Sequence, residues 1–148
     1  MKKPFKLNIM EKTKKCAKCG RELPLTEFYV NKKTNDGKGS YCKECYKQYF
    51  KTPIGRAYSL ISSYSNADKK NGRGNCNLTA KWMVENILTK PCAHCGKEGW
   101  DVIGCNRLDN SKPHTKDNVE PCCKKCNLKL AAKDASMYQK QFNRFKLV

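Results

Sequence analysis

Residues 91–96 read PCAHCG, residues 102–110 VIGCNRLDN and residues 117–127 DNVEPCCKKCN. Two Cys-x-x-Cys pairs, Cys92 with Cys95 and Cys123 with Cys126, bracket a stretch rich in polar side chains. Two residues between cysteines let one tight turn present both sulfurs to a tetrahedral ion, so the two pairs predict a single four-thiolate zinc site. Cys122 is then the odd neighbour, able to stand in for Cys123 but spaced wrongly for the pair. Cys76, Cys105 and Cys122 are left over, and a free cysteine commonly behaves as a small buried hydrophobe.

The same arithmetic holds further upstream. Cys16 and Cys19, followed by Gly20, face Cys42 and Cys45 across a turn-rich stretch, Asn35 to Gly39, and predict an N-terminal zinc knuckle or ribbon. Gly20 can take the positive φ that often closes such a turn. Eleven cysteines would suggest disulfides in a secreted chain, but no apolar segment with a small-residue cleavage site follows the first residues. The expectation is therefore an intracellular, reducing compartment, cytoplasm or nucleus of a host cell, in which paired cysteines hold zinc. No apolar run approaches the roughly 20 residues that span a bilayer.

Only 39% of the 148 residues are hydrophobic, and much of that share is cysteine, so something besides apolar burial must hold the fold. Lys and Arg number 31 against 13 acids, a formal charge of +18. Two zinc sites at about −2 each leave it strongly positive. Such an excess of one sign makes a polyanion the expected partner, nucleic acid first.

Coarse patterning divides the chain into a basic arm (1–15), the N-terminal four-cysteine knuckle (16–50), a helical linker (51–90), the second zinc module (91–134) and a C-terminal helix (135–148). Thr52 can cap the linker helix, with Pro53 in its first turn and Ile54, Ala57, Tyr58, Ile61 and Tyr64 or Ala67 at helical spacing. That helix should end near Asn71-Gly72. The next should begin with Thr79 as cap and Leu78 packing on Met83, and stop at Lys90-Pro91. Ser136 and Gln139 form a capping-box pattern ahead of Phe142 and Phe145, which predicts a separate terminal helix.

Cys-x-x-Cys-Gly, a strand-like stretch entering a polar motif, Asp-Asn-Val at residues 117–119 and Cys-x-x-Cys-Asn on a helix together resemble the zinc-containing HNH endonucleases. The closest likeness is to the endonuclease VII-like type of phages and large viruses, and it covers most of residues 16–145. The resemblance implies an α+β fold: a small zinc-stapled ββα-metal module carrying the N-terminal knuckle and a helical linker. Two antiparallel strands and a helix would cradle one Mg²⁺ or Mn²⁺ ion against a scissile phosphate, while zinc pins the strands to the helix.

By the same resemblance Asn127 is the helical ligand of the catalytic ion, and Asn118 is the central asparagine that supports the turn and orients the base. The chain departs from the family where Asp-His is usual, because Asn106-Arg107 stands there instead. Asp109 then takes the carboxylate role and His114 the base, and Arg107 clamps the phosphate through its planar fork. Plain alternatives stand beside each: a turn-forming acid, a turn asparagine, a loop histidine touching phosphate. His94, inside its Cys-x-x-Cys pair, suits a hydrogen bond or a phosphate contact rather than ligation. Lys124, Lys125, Lys129 and Lys133 gather on the helix of Asn127 and suit a duplex backbone.

Three functions follow. The first is a DNA endonuclease using a divalent metal, with double-stranded DNA as partner and a dimer conceivable for duplex cuts. The second is an inactive HNH scaffold that binds DNA. The third is an RNA-binding zinc protein in which Tyr46, Tyr49 and Phe50 stack on unpaired bases.

Overall fold

Each Cys-x-x-Cys-Gly segment closes into the same turn. Gly20 N–H donates to Cys16 O at 2.8 Å and Cys16 N–H to Arg21 O at 2.9 Å; Gly96 N–H donates to Cys92 O at 2.9 Å and Cys92 N–H to Lys97 O at 2.8 Å. Gly20 and Gly96 sit at φ +72° and +71°, left-handed backbone in which a side chain is strained. The computed structural model describes residues 11–145, with side chains as far as 136. It divides the chain into two units, Met1–Lys51 and Thr52–Val148.

In the first unit, β1 (Thr13–Lys15) pairs antiparallel with β2 (Glu22–Pro24), and β3 (Phe28–Val30) with β4 (Lys38–Cys42). Cys42 then opens α1 (Lys43–Phe50). The buried core is Cys16, Phe28, Cys42 and Cys45, with Leu23 packed against it. Among the described residues this is one phenylalanine and three thiols, a small apolar core, so an ion held by the sulfurs would add much to the unit's stability. Thr13–Lys15, read from sequence as part of a basic arm, are thus paired strand, and residues 1–10 of that arm lie outside the described residues.

In the second unit Thr52 caps α2 (Pro53–Lys70) by accepting Gly55 N–H at 3.2 Å, with Pro53 in the first turn. The inward face runs through Ala57, Leu60, Ile61, Tyr64 and Asp68. Ile54 and Tyr58, expected on that face, are exposed; the stripe is rotated because Leu60 and Asp68 lie inside it. Thr79 takes the cap position of α3 (Ala80–Met83), though without a side-chain cap bond, and Leu78 and Met83 share the core. The helix does not run on as an α-helix to Lys90. Val84–Leu88 form a π-helical turn, closed by Thr89 N–H and Oγ1–H on Val84 O at 3.3 and 2.9 Å. The wider turn puts the consecutive residues Ile87 and Leu88 both into the core.

Hairpin β5 (Ile103–Arg107) and β6 (Val119–Cys123) follows, in register from Ile103↔Cys123 to Arg107↔Val119, and leads directly into α4 (Lys124–Phe145). The expected break near residue 134 is absent. Ser136 is an interior residue of α4 whose hydroxyl donates to Lys133 O at 2.8 Å, so it is not a cap. The side chains of Gln139, Phe142 and Phe145 lie outside the described residues. No described helix is long and apolar enough to cross a membrane.

Candidate functional site

Two cysteine quartets, Cys16/Cys19/Cys42/Cys45 and Cys92/Cys95/Cys123/Cys126, each bring four sulfurs within 4.8 Å of one another and can hold a metal ion. The donor set is that of a closed tetrahedral zinc site. Backbone geometry prepares the thiolates: Cys42 N–H points at Cys16 Sγ at 3.2 Å and Cys123 N–H at Cys92 Sγ at 3.3 Å. Burial pushes the Cys16 and Cys92 thiols up, but several such N–H groups outweigh it and bring both down to about 6. Cys45, by burial and then its neighbouring sulfurs, and Cys126, by its neighbouring sulfurs and then burial, are pushed up to about 12. A cation bound among the four sulfurs would favour the thiolate form of all of them. Cys122 stays out of the quartet and is buried, as is Cys105, whose sulfur lies 3.5 Å from Met83 Sδ.

The outer edge of β5 is occupied by side chains. Arg56 donates to Ile103 O at 3.0 Å, Tyr64 Oη accepts Cys105 N–H at 2.9 Å, and Asn127 Nδ2 donates to Cys105 O at 3.2 Å. A carbonyl only accepts, so Asn127 must turn its amide nitrogen inward, which leaves Oδ1 for another partner. The opposite edge meets the knuckle, where Ala93 N–H donates to Pro121 O at 2.9 Å. Pro121 is tolerated in the strand because the bond it cannot make points away from β5.

The loop joining β5 to β6 is organised by Asn118, which is buried. Its Oδ1 accepts Asp109 N–H at 2.9 Å, and its Nδ2 donates to Asp109 O and Pro113 O, both at 3.0 Å. Asp109 Oδ1 accepts the backbone N–H and hydroxyl of Ser111, and Lys112 lies 3.3 Å from Oδ2. The Ser111 bonds, then Lys112, hold the carboxyl below the usual range. Asp109 and Asn127 have different partners. Asn127 lies against Cys105, whereas Asn110, next to Asp109, meets Asp134, which stands two helical turns, roughly 10 Å, beyond Asn127 along α4. Arg107 directs its guanidinium to Asn110 O and Lys112 O at 3.1 and 3.2 Å, bracing the same loop.

His114 is not a solvated loop side chain: it is 7% exposed and stacked flat on Tyr64, ring centroids 4.2 Å apart. Asp68 Oδ2 accepts both His114 N–H at 2.8 Å and Nδ1–H at 2.9 Å. Burial lowers the His114 pKa, and Asp68 offsets this only in part; with Nδ1 facing the Asp68 carboxylate as donor, Nε2 is the ring nitrogen left to accept a proton. Burial alone would raise the fully buried Asp68, but its bonds from His114 outweigh that and keep it ionised. Arg107 and Arg73 stand 3.8 and 3.9 Å from its Oδ1. Sequence reading missed Asp68. The available signal was an acid at position 68, four and seven residues after Tyr64 and Ile61, on the apolar stripe of a helix, where a polar residue is anomalous unless partnered.

His94 Nε2 lies 2.7 Å from Glu120 Oε1, which also accepts Asn106 Nδ2 at 2.9 Å. Glu120, paired across the strands with Asn106, thus also ties the knuckle to the hairpin through His94.

No family model and no curated protein matches the chain. Among solved structures, the rare-cutting HNH restriction endonuclease PacI aligns over 76% of this chain and 78% of its own at 19% identity, with a TM-score of 0.37.

Lys124, Lys125, Lys129 and Lys133 are all exposed on α4. Lys124 and Lys125 line a groove of about 570 Å³ together with Arg56, Lys97 and a single acid, Asp101. Two lysines in the first turn oppose the helix dipole, an unfavourable placement for folding alone and a favourable one for receiving phosphate.

Proposed function

We propose that the protein binds nucleic acid, double-stranded DNA first, and that its second unit is an HNH-type endonuclease hydrolysing phosphodiester bonds with a divalent metal. The observation that carries this reading is one connected frame: a cysteine quartet joins the knuckle turn to β6 and α4, β5 pairs with β6, both backbone groups of Cys105 are taken by Asn127 and Tyr64, and Tyr64 is stacked on His114. In this reading His114 Nε2 takes the proton of the attacking water. Asp68, bonded to Nδ1, holds the tautomer and stabilises the imidazolium that results. Arg73 and Arg107, beside Asp68, keep the surroundings positive for phosphate, and the lysines of α4 seat the backbone.

Asn127 Oδ1 fits a Mg²⁺ or Mn²⁺ ion as a hard neutral donor; Asp109, committed to Ser111 and Lys112, does not fit the same ion as it stands. Such an ion, when bound, neutralises phosphate charge and assists the leaving oxygen.

One observation favours a second reading, a DNA-binding scaffold without catalysis. Asn106 replaces the family carboxylate and spends its amide on Glu120.

The test is zinc-loaded protein on supercoiled plasmid with Mg²⁺ or Mn²⁺ and an EDTA control. Nicking that falls about 100-fold or more in Asn127→Ala and His114→Gln, and much less in Asp109→Ala, supports the nuclease. Salt-sensitive binding with no cleavage of any substrate leaves the scaffold.

A further inference from the structure

The face of the first unit that turns away from its cysteine core is aromatic. Strand alternation buries Phe28 and turns Tyr29 outward at 40% exposure; Tyr41, next to buried Cys42, is outward at 45%. From α1 comes Tyr46, 43% exposed, its ring edge-on to Tyr29 at 5.0 Å and 4.7 Å from that of Phe50. Tyr29, Tyr41 and Tyr46 line a cleft of about 370 Å³ floored by Gly39 and Ser40. That volume lies in the roughly 300–1,000 Å³ range of sites for small planar ligands.

Charge narrows the occupant. Lys43 Nζ stands 5.9 Å from the Tyr29 ring centroid, and Lys47 follows Tyr46 on α1. No residue lining the cleft is acidic. Of the nearby acids, Asp36 is paired with Lys14 at 2.5 Å and Glu44 with Arg21. A cleft lined by tyrosine rings, with the Lys43 ammonium beside one of them, suits a flat ring attached to an anionic backbone. In a duplex those ring faces are covered by neighbouring base pairs, so the ring must come from an unpaired base.

We propose that this cleft holds an unpaired base of a DNA or RNA strand by stacking on its tyrosines, with Lys43 and Lys47 on the adjoining phosphates. The inference rests on the nucleic-acid-binding half of the function proposed above and is independent of cleavage. It makes the first unit a reader of single-stranded or locally opened nucleic acid.

The experiment uses full-length, zinc-loaded protein without added Mg²⁺ or Mn²⁺. Oligonucleotides carrying 2-aminopurine are offered as a DNA single strand, an RNA single strand, a perfect duplex and a duplex with a central unpaired loop. Single-stranded and looped probes are expected to bind at least tenfold more tightly than the perfect duplex and to show quenched 2-aminopurine fluorescence; the DNA and RNA arms identify which strand is preferred. Tyr41→Leu is expected to weaken the looped probe about tenfold, and Tyr41→Phe, which keeps the ring, to restore it. Tyr29→Leu provides a second, independent loss, with two bound zinc ions as the check on folding. Equal affinity for all probes without quenching, or no change in either leucine variant, overturns the inference, as does binding that only an apolar peptide competes away. A protein that stacks bases but never nicks plasmid breaks only the nuclease reading; one that nicks plasmid without preferring unpaired bases breaks only this one.

Discussion

The two cysteine quartets are built alike and embedded differently. In both, a Cys-x-x-Cys-Gly turn faces a strand whose last cysteine aims its N–H at the first sulfur, at 3.2 and 3.3 Å, and runs straight into a helix. Around the first quartet, among the described residues, the core has only Phe28 and Leu23 besides the sulfurs. Around the second, Met83, Ile87, Leu88 and Ile103 are buried as well, supplied by helices and a hairpin far apart in sequence. The same clip is most of one fold and a corner of another. Where it is most of the fold, the strand face opposite is left for exposed aromatics. Where a larger core shares the burden, the hairpin loop can carry a buried polar network.

Removal of zinc is the strongest way to break that comparison. Two zinc ions per chain are expected by metal analysis. Cys16→Ser should unfold the first unit outright, since structural zinc supplies about 10–16 kcal/mol of apparent folding energy in small modules. Cys92→Ser should loosen the hairpin and α4 while α2 and α3 keep native-like amide shifts. Equal collapse of both units on either substitution would refute the contrast.

Asn118→Ala comes next. It removes three hydrogen bonds around one buried amide and is expected to cost roughly 3 kcal/mol, read as a lowered Tm of the second unit with the first unchanged.

Gly104→Ala is smaller. A Cβ at Gly104 would fall 2.9 Å from Tyr64 Oη, pushing the phenol off Cys105 N–H at a cost of about 1–3 kcal/mol. In a Tyr64→Phe background, itself about 1 kcal/mol less stable, the same alanine should cost less; strict additivity would show that the two groups do not meet.

The pH dependence is the subtlest effect. His114 has a folded pKa below its unfolded value, so the unfolded chain binds the proton more readily and stability falls as pH drops through the unfolded histidine range near 6.5. His114→Gln should remove that slope between pH 7 and 5.5, after correction for zinc loss measured in parallel. A slope that persists unchanged would mean another group carries it.

What could be read along the chain is what neighbouring residues decide together. The knuckle turns, Thr52 with Pro53 at the start of α2, and Leu78 next to Thr79 at the start of α3 all rest on spacings of a few residues. The terminal helix was misjudged for a related reason. Ser136 and Gln139 have capping spacing, but a helix already running through Ala131 and Ala132 gives that pattern nothing to start, and the serine bonds back to Lys133 instead.

The sequence alone determined the charge of +18, the two cysteine quartets and the local turns that present them, because thiol spacing and glycine placement act over a few residues of chain. Tertiary structure alone decided that His114 would be buried and oriented by Asp68, 46 residues away, and that the edge of β5 would be met by Arg56, Tyr64 and Asn127. Periodicity shows which face of α2 turns inward; it carries no information about which strand or loop arrives there. That pairing is set by the packing of whole elements, where a buried carboxylate persists only if the fold brings it donors.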